Sequence, residues 1–551
     1  MLKLNHLNRP EGSLSSATTA PLVALLTLAL LGASALSADG AAAASKRPAS
    51  SVAITGAREL PMKLPGAAGV AATSRWLIGV TEPLSSADAR SLGGHTVLGG
   101  KVLVVPRAAA RSAARSLSAS GRLLYAEPNP RISRESAFES ARNGWARGAV
   151  VASELTPPSL GSATIAVIDD FVDPTHPELA GHVTYLNTGT IAGPHGTAVA
   201  SVAAAADGNG GTIGIFPGVQ ILSIQPSSLY CDDVAEAVSS VPYETDVINL
   251  SLGMTADCFT LFIPIQVAYG GGSVVVASAG NEFEDGNPIM YPAGWPHVLS
   301  VAALDTNLRS ADFSSVNAAV DITAPGVSIP VAVPLALDVE DGRQDGYSLA
   351  DGTSFSAPMV AGAAAWIRTA RRDLSHGQVA DVLRSSAIDL GPQGWDADNG
   401  WGLLNVAGAL AARTLVDDGQ EPNDLIAEVS GRLFEDPDEF IWRGVGRASF
   451  AASVDLVEDP VDIYRVQIPR RGTAKIAITP SSGDADLEVY DGSATYVGQR
   501  SKLLASSRRS GRNTDRVSIR NSARKAKTAY VVVRPYTKTY VDARYRLTVS
   551  R

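Results

Sequence analysis

Thr164-Ile-Ala-Val-Ile168 is a short apolar run that ends in the acidic pair Asp169-Asp170. Comparable runs recur downstream, separated by helix-compatible stretches: Gln220-Ile-Leu-Ser-Ile224, Asp246-Val-Ile-Asn-Leu250, Ser273-Val-Val-Val-Ala277 and Val298-Leu-Ser-Val301. Strands that are apolar along their whole length are typical of a parallel sheet covered by helices on both faces. The pattern predicts a doubly wound, mostly parallel α/β domain, whose active site lies outside the carboxyl ends of the strands.

The chain on either side of this domain follows other patterns. Before it, strand-like and helix-like runs between about 76 and 127 predict a small α+β unit. After it, an acidic, turn-rich linker over 417–424 precedes runs that alternate polar and apolar residues, such as Asp462-Ile-Tyr-Arg-Val-Gln-Ile468. Such alternation with frequent turns predicts an antiparallel β-sandwich. We therefore divide the chain into four segments: 1–44, 45–140, 141–414 and 415–551.

The composition limits the classes of function. Of the 551 residues, 45% are hydrophobic and 18% are charged, which is typical of globular domains and not of a disordered chain. The formal net charge of -9 does not favour a nucleic-acid partner. The two cysteines are too few for a disulfide-rich scaffold.

Residues 1–44 have the features of an export signal. Lys3 and Arg9 precede an apolar run over 20–31, and small residues follow it. This order is typical of a cleavable signal peptide, and an uncleaved membrane anchor is the alternative. The run is shorter than the ~20 residues that a membrane-spanning helix needs. We therefore expect a secreted, extracellular protein that has no membrane contact once the signal peptide is removed.

Three side chains of the central domain suit a nucleophilic hydrolase. Ser354 directly precedes a helix-like run, and a helix amino terminus favours a developing negative charge. His195 precedes a run of small residues, and Asp169 ends the first strand. A serine hydroxyl needs a base such as histidine, and a carboxylate orients the imidazole. Each residue alone also fits a structural role: Ser354 as a helix cap, His195 as a packing residue and Asp169 as a strand exit.

The sequence around these residues resembles the successive motifs of the subtilisin family. Four segments occur in that family's order and approximate spacing: Ile168-Asp-Asp-Phe-Val-Asp-Pro-Thr-His-Pro-Glu-Leu179, His195-Gly-Thr197, Ser278-Ala-Gly-Asn-Glu282 and Gly352-Thr-Ser-Phe-Ser-Ala-Pro358. The resemblance covers about residues 163–412. It implies a subtilisin-like fold, serine endopeptidase activity on proteins or peptides, and no cofactor for catalysis.

The resemblance also implies a role for each residue of the site. Asp169 orients the imidazole, His195 acts as general base and then general acid, and Ser354 attacks the peptide carbonyl. Asn281 corresponds to the side-chain donor of the oxyanion hole, and the backbone amide of Ser354 is the second donor.

The resemblance extends to substrate binding, with two departures. Ser251, Leu252 and Gly253 correspond to the segment that pairs with an extended substrate. Met290 stands where common subtilisins have a glycine, and we expect it to partly fill the primary pocket and favour small or flexible side chains. Asp170-Phe171 stands where the family has a small residue and then glycine, which casts doubt on the local geometry.

Both flanking segments resemble known accessory domains. The unit over 76–127 resembles the family's inhibitory pro-peptide, which implies an intramolecular inhibitor that is cut off between about 130 and 145. Two segments of the C-terminal part, Val461-Asp-Ile-Tyr-Arg-Val466 and Gly483-Asp-Ala-Asp-Leu-Glu-Val-Tyr-Asp491, resemble the bacterial pre-peptidase C-terminal domain. Basic residues in this part form either a patch for an anionic surface or a solvated loop: Arg508, Arg509, Arg512 and Arg516.

The sequence leaves the disulfide and the metal sites open. Cys231 and Cys258 both follow central strands on one side of the sheet, so they either pair in an oxidising compartment or remain buried thiols. Structural calcium occurs in the family, and Glu178 matches one liganding carboxylate. The partner loop over 207–211 has Gly208 where a liganding asparagine is expected, so we expect no firm site there.

The chemistry leaves one alternative function. A catalytically inactive binding protein would keep the subtilisin fold and use the C-terminal sandwich as its working module. A lipase or esterase lacks support because the Gly-x-Ser-x-Gly elbow of those enzymes is not found.

Overall fold

The computed structural model describes residues 74–132, 137–139, 145–158, 163–187, 189–339, 342–413, 421–431, 437–455, 459–536 and 543–551. The predicted export signal, 1–44, lies outside these ranges. The described chain forms a small N-terminal unit, a central α/β domain and a C-terminal sandwich, which confirms the predicted fold class. None of the helices in these ranges combines the length and apolar character that crossing a membrane requires.

The N-terminal unit is an antiparallel sheet with two helices. Its elements are β1 (Arg75–Val80), α1 (Ser86–Ser91), β2 (His95–Val97), β3 (Val102–Pro106), α2 (Arg107–Ala119) and β4 (Leu123–Pro128). The strands lie in the order β2-β3-β1-β4. Helix α2 packs on the sheet through Ala110, Ala113, Ala114 and Leu117, which recur at helical spacing. Strand β5 (Ala137–Glu139) and helix α3 (Trp145–Ala149) then lead into the central domain.

The central domain is built on a parallel sheet. Its elements are β6 (Thr164–Ile168), β7 (Val183–Tyr185), α4 (His195–Ala204), β8 (Gln220–Ile224), α5 (Cys231–Ser239), β9 (Val247–Leu250), α6 (Phe259–Gly270), β10 (Val274–Ser278), β11 (Val298–Leu304), β12 (Ile322–Pro325), β13 (Ile329–Ala332), β14 (Tyr347–Asp351), α7 (Thr353–Ala370), α8 (His376–Ser385) and α9 (Val406–Ala411). Seven strands pair in parallel in the order β12-β11-β10-β9-β6-β8-β7. All five predicted strands belong to this sheet, and β7 and β12 are added at its edges.

Two hydrophobic cores explain why the strands lack polar alternation. Ile165 and Val167 of β6 belong to the core that contains residues of α4 and α7. Ala166 and Ile168 of the same strand belong to the core that contains residues of α5 and α6. Because both faces of the strand are buried, its four positions from Ile165 to Ile168 are all apolar.

A disulfide connects the two helices on the second face. Cys231 at the start of α5 is joined to Cys258, the residue that precedes α6. The two cysteines are 27 residues apart, so the bridge closes the segment that contains β9. Closing a loop of this length stabilises a fold mainly by restricting the unfolded chain.

The C-terminal part is a sandwich of two antiparallel sheets. Its elements are α10 (Ile426–Val429), β15 (Arg447–Val454), β16 (Asp462–Ile468), β17 (Thr473–Pro480), β18 (Ala485–Asp491), β19 (Leu503–Ser507), β20 (Asp515–Arg520), β21 (Lys527–Pro535) and β22 (Ala543–Ser550). One sheet has the order β15-β22-β17-β20 and the other β16-β21-β18-β19. Alternate residues of both sheets fill a shared core, as the period-two pattern predicts.

Candidate active site

The predicted site residues meet at the carboxyl ends of three neighbouring strands. Asp169 directly follows β6, Ser251 directly follows β9, and Asn281 lies three residues beyond β10. Strand β6 has β9 on one side and β8 on the other, so the strand order reverses around it. Crevices of this kind hold the ligand in open α/β sheets.

Asp169 and His195 form a buried pair. Both carboxylate oxygens of Asp169 lie 2.9 Å from Nδ1 of His195, and Asp169 is fully buried. The backbone N–H of Asp170 donates to Oδ1 of Asp169 at 2.6 Å and holds the carboxylate in place. Because an ionised carboxylate only accepts hydrogen bonds, Nδ1 carries the ring proton and Nε2 carries the lone pair. Nε2 is buried and has no hydrogen-bond partner among the described residues.

Ser354 lies at the start of helix α7, directly before Phe355, whose ring is close to the imidazole of His195. Gly352 precedes the helix with φ of 144°, a conformation that favours glycine. The Oγ of Ser354 donates to the backbone carbonyl of Ser251 at 3.3 Å, and the Oγ of Ser251 donates to the carbonyl of Ser354 at 2.8 Å. The ring of Phe355 lies 5.8 Å from that of His195, centroid to centroid. The structure therefore brings the serine turn to the histidine, with the hydroxyl rotated toward Ser251.

The side-chain amide of Asn281 is oriented by the residue before the serine. Its Oδ1 accepts hydrogen bonds from the backbone N–H of Thr353 at 3.0 Å and from the Thr353 hydroxyl at 2.8 Å. Oδ1 is thereby fixed on Thr353, and Nδ2 is the donor end of the amide. This orientation is the one that a side-chain oxyanion donor requires.

Backbone hydrogen bonds connect the end of the predicted substrate segment to the loop that contains Met290. Met254, which follows Gly253, exchanges backbone hydrogen bonds with Tyr291 at 2.9 and 2.8 Å. The side chain of Met290 is 3% exposed and lies between Gly253 and Gly280. A Cβ added at Gly280 would lie 2.4 Å from Cγ of Met290, so the thioether fills the space between these two backbone segments.

Phe171 does not strain the loop that follows Asp169. Its backbone lies outside the left-handed region, so the position makes no demand for glycine. Its ring packs against that of Tyr185 at 5.4 Å between centroids and closely approaches Gly189. The backbone of this loop is approached most closely by Gly196 in the first turn of α4, where an added Cβ would lie 2.0 Å from the carbonyl oxygen of Asp170. The expected distortion at Asp170-Phe171 is therefore absent.

The N-terminal unit docks on α5 and α6. The carboxylate of Glu127 accepts hydrogen bonds from the backbone N–H groups of Phe259 and Thr260, both at 3.3 Å, and from the Thr260 hydroxyl at 2.8 Å. The side chain of Asn129 donates to Asp232 in the first turn of α5 at 2.6 Å. Burial raises the pKa of Glu127 to about 7. The hydrogen bonds from Thr260 favour the charged form and lower the pKa, but their effect is smaller than that of burial.

The chain that leaves the N-terminal unit runs toward the serine turn. The backbone N–H of Ile132 donates to the carbonyl of Leu229 at 2.6 Å. Strand β5 then pairs with β14, with Ala137 opposite Asp351, three residues before Ser354. Most of the predicted cleavage range, 130–145, lies outside the described residues, and these two contacts lie within it.

Glu178 is buried among hydrogen-bond donors. Its carboxylate accepts from the hydroxyl of Tyr347 at 2.7 Å and from the side chain of Asn209 at 3.4 Å. Asn209, and not Gly208, is therefore the residue of the partner loop that contacts it. Within the described ranges, Glu178 belongs to none of the groups of three metal-binding side chains.

Carboxylates converge instead where the central domain meets the sandwich. We call the following five residues the junction cluster: His297, Glu421, Asp424, Asp459 and Asp462. Potential ligand atoms lie within 4.8 Å of one another in two overlapping groups that share Glu421. Nε2 of His297 lies 2.5 Å from Oδ2 of Asp424 and 3.7 Å from Oε2 of Glu421.

Some carboxylates of the junction cluster are hydrogen-bonded, and two of its buried oxygens have no partner among the described residues. Asn423 donates to Glu421 at 2.5 Å and to Asp462 at 3.1 Å. Oδ1 of Asp424 and Oδ1 of Asp459 are buried without a hydrogen-bond partner among the described residues. Burial and the neighbouring carboxylates, Asp462 first, raise the pKa of Asp459 well above its usual range. A group of carboxylate oxygens, two of them buried without a partner, fits a hard divalent cation such as calcium.

Several of these contacts could not be read from the sequence. Thr353 orients Asn281. In the sequence, only its position directly before Ser354 indicated that Thr353 belongs to the site. The hydroxyl of Ser251 donates to the backbone carbonyl of Ser354, which lies 103 residues later in the chain. His297 had no motif around it, and only the fold brings it to the acidic linker.

Comparison with known proteins identifies the relatives of the central domain. The model of the subtilase family, peptidase S8, matches residues 161–402. Subtilisin DY from Bacillus licheniformis is 36% identical over 257 residues, which cover 44% of this chain and 89% of that protein. Fervidolysin from Fervidobacterium pennivorans is 31% identical over 366 residues, 60% of this chain and 52% of that protein. The chain therefore spans about half the length of fervidolysin in this alignment.

A solved structure has the same fold over most of the chain. The crystal structure of fervidolysin, described as a keratinolytic enzyme related to subtilisin, superposes with a TM-score of 0.56 and 20% identity. The match covers 81% of this chain and 85% of that one.

We predict that docking of the N-terminal unit weakens as the pH rises through 7. The pKa of Glu127 is about 7 when docked and 4.5 ordinarily, so docking favours the protonated carboxyl. Its contribution is complete below about pH 4.5 and is lost as the pH rises through the docked pKa. The affinity of the separated unit for the remaining chain, measured by calorimetry, should fall about tenfold between pH 6 and pH 8.

Two variants separate this effect from general charge effects. Glu127→Gln does not titrate, so its affinity should change less than about twofold over the same range. Glu236→Gln, which replaces another carboxylate of the same interface, should keep the fall seen in the wild type. A wild-type affinity that stays constant or rises with pH would contradict the prediction.

Proposed function

Because the chain belongs to the subtilase family and is a serine-type endopeptidase, we propose that it cleaves proteins through an acyl-enzyme on Ser354. The observation that carries the assignment is the buried contact of 2.9 Å between Asp169 and Nδ1 of His195, beside the serine turn. It leaves the Nε2 lone pair available in a water-poor crevice. A binding protein without activity would gain nothing from this oriented imidazole, since a buried carboxylate is costly to keep.

Acylation follows from a rotation of one side chain. Turning Ser354 about its Cα–Cβ bond moves Oγ from the carbonyl of Ser251 toward Nε2 of His195. Nε2 takes the hydroxyl proton as Oγ attacks the peptide carbonyl carbon, and the carboxylate of Asp169 stabilises the imidazolium. The imidazolium then gives this proton to the leaving amine. A water molecule repeats the sequence on the ester, releasing the acid and restoring Ser354.

Asn281 and the start of α7 are proposed to stabilise the oxyanion. With Oδ1 held by Thr353, the Nδ2 end of Asn281 donates to the oxygen that becomes negative. The backbone N–H of Ser354, in the first turn of α7, is the second donor. Ser251, Leu252 and Gly253 are proposed to pair with the substrate backbone as an added strand, which leaves sequence preference to the side-chain pockets.

We also propose that the enzyme is exported and processes its own precursor. Residues 1–44 support export, and the Cys231–Cys258 disulfide suits an oxidising compartment. The contacts of Ile132 with Leu229 and of Ala137 with Asp351 support a cut between Ile132 and Ala137. The freed N-terminal unit, docked through Glu127, acts as the inhibitor.

Ser354→Ala tests both the nucleophile and the processing. The wild type should react with a fluorophosphonate probe at Ser354, and its mature N-terminus, found by sequencing, should fall between 133 and 137. The variant should take up no probe, remain uncut, and lose at least about 10⁴-fold in kcat/KM on a peptide substrate.

Ser356→Ala, two residues along the same helix, is the matched control and should be labelled and processed. An unlabelled wild type would support the inactive binding protein. Normal maturation of the Ser354→Ala variant would assign processing to another enzyme.

Met290 is proposed to set the side-chain preference before the cut. Because its thioether fills the space between Gly253 and Gly280, the pocket suits small or flexible side chains. Met290→Gly should raise kcat/KM for phenylalanine relative to alanine at this position by about tenfold or more, measured on a peptide library. Met290→Leu conserves volume and should keep the wild-type preference. A wild-type enzyme that strongly prefers phenylalanine or tryptophan would refute the proposal.

We propose that the junction cluster holds a structural calcium ion through its carboxylates. Glu421, Asp424, Asp459 and Asp462 supply oxygen ligands, and the buried unpartnered oxygens of Asp424 and Asp459 support a bound cation. The ion would neutralise the charge at the contact between the two domains and has no part in the peptide-bond chemistry.

Calcium should therefore stabilise the protein against heat. At [Ca²⁺] about 100 times Kd, the expected gain is about 3 kcal/mol, seen as a rise in Tm that EDTA reverses. Asp459→Asn with Asp462→Asn should abolish the rise, and Asp373→Asn, at an exposed site, should keep it. A Tm that does not respond to calcium in the wild type would exclude the site.

A further inference from the structure

Residues 461–551, which contain every strand of the sandwich except β15, are basic, although the chain as a whole is acidic. Residues 461–551 contain 19 Lys and Arg against 7 Asp and Glu, whereas the whole chain contains 46 and 55. The first 460 residues are therefore strongly acidic. The packing of the sandwich does not require this uneven distribution of charge along the chain, because apolar side chains fill its core. An excess of one charge on one domain acts on what approaches it from solution.

One face of the sandwich concentrates this charge. Side chains alternate across a strand, so the residues of β15, β22, β17 and β20 that do not enter the core point outward. Six of these outward residues are exposed cations, and we call them the cationic face: Arg447, Lys475, Arg516, Arg520, Arg544 and Arg546. The other outward positions of the four strands, all of them described, are serine, threonine or alanine.

Among the described residues, no ion pair involves a side chain of the cationic face. One end of the face, at Ser453 and Arg544, lines the cavity between the sandwich and the central domain, which also contains Asp455 and Asp459. The ion pairs in the described part of the sandwich lie elsewhere: Arg508 and Arg534 contact Glu488 at 2.7 and 2.9 Å. Of the basic residues singled out in the sequence, Arg516 belongs to the face, and Arg508 is paired. Like charges on neighbouring strands repel one another, so an uncompensated sheet of them costs stability unless an anion approaches it.

The shape of the face narrows the class of anion. Strands about 4.8 Å apart and side chains repeating every ~6.8 Å spread the six cations over an area of roughly 15 by 20 Å. The small residues between them keep this area flat, and neighbouring pairs such as Ser449 and Thr548 hydrogen-bond to each other at 3.2 Å. Charges separated over an area of this size fit a long polymer that carries anions at intervals.

The side chains on the face distinguish between polymers. Single-stranded nucleic acids are bound by stacking on aromatic rings, and none of the outward positions on these four strands is aromatic. Stable binding to a membrane surface needs inserted apolar side chains or a lipid anchor in addition to basic residues, and these positions have no large apolar side chain. Hydroxyl groups and cations together suit a polymer of sugars that carries carboxylate or sulfate groups.

We propose that the cationic face binds an extended anionic polysaccharide and holds the peptidase on surfaces that carry it. The face is formed by the sandwich alone, so binding does not depend on the catalytic residues. Attraction by six cations is mainly electrostatic, and it weakens as salt shortens the Debye length from about 30 Å at 0.01 M to about 8 Å at 0.15 M.

Binding to polygalacturonate tests the proposal. The full chain carrying Ser354→Ala, which cannot digest itself, is titrated with the polymer at low and physiological salt. Lys475→Ser, Arg516→Ser and Arg546→Ser together remove charge from three strands and should weaken binding at least about tenfold at low salt. Uncharged dextran should not bind, and dextran sulfate should bind if sulfate groups serve as well as carboxylates.

A control of equal net charge separates the face from the domain's overall charge. Arg443→Ser, Arg500→Ser and Lys502→Ser remove three charges outside the face and should change the affinity less than about twofold. An equal loss in both triple variants would overturn the proposal in favour of net charge. Tighter binding of DNA or anionic vesicles, with the same dependence on the face, would assign it to another class of partner.

Discussion

The fully buried carboxylate of Asp169 sets the main constraint on the central domain. An isolated charge without solvent is costly, so the fold must supply partners at the end of β6. The amide of Asp170, the next residue, is one partner, and His195 is another. His195 can reach Asp169 only if α4 begins close to the end of the strand. Gly196 permits this approach, because an added Cβ would collide with the backbone of Asp170. The helix that follows is built from small buried residues, which lets it lie against the sheet.

The strand pattern was predictable where burial removes any choice. Each of the five predicted strands is flanked by others and covered on both faces, so most of its residues on both faces are apolar. The two strands of the parallel sheet that were missed lie at its edges. β7 has only three residues, and Thr184 and Tyr185 are exposed, so it carries no continuous apolar signal. β12 is buried, but it has only four residues and one of them is a proline, a residue depleted in strands. The sandwich was readable for the opposite reason, since one core face gives a period of two.

The site was predictable only as far as its motifs. Asp169, His195 and Ser354 stand in segments whose order resembles a known family, and the fold brings them to one edge of the sheet. The rotation of the serine hydroxyl toward Ser251 could not be predicted, because it depends on the end of β9 meeting the start of α7, and the two serines are 103 residues apart in the chain. The same holds for the junction cluster, whose members come from three separate segments. A local motif indicated Glu178 as a calcium ligand, but its carboxylate accepts hydrogen bonds from Tyr347 and Asn209.

The two charge distributions of the sandwich have different physical roles. Carboxylates collect at the end that contacts the central domain, where burial makes their repulsion severe and a cation is the natural compensation. Cations collect on an outward sheet face, where solvent screens their repulsion and makes it tolerable. Because the catalytic part of the chain is acidic, it repels the same anionic polymers that the cationic face attracts. Contact with such a polymer is therefore confined to the sandwich, and the crevice at the carboxyl ends of β6, β9 and β10 stays open to protein substrates.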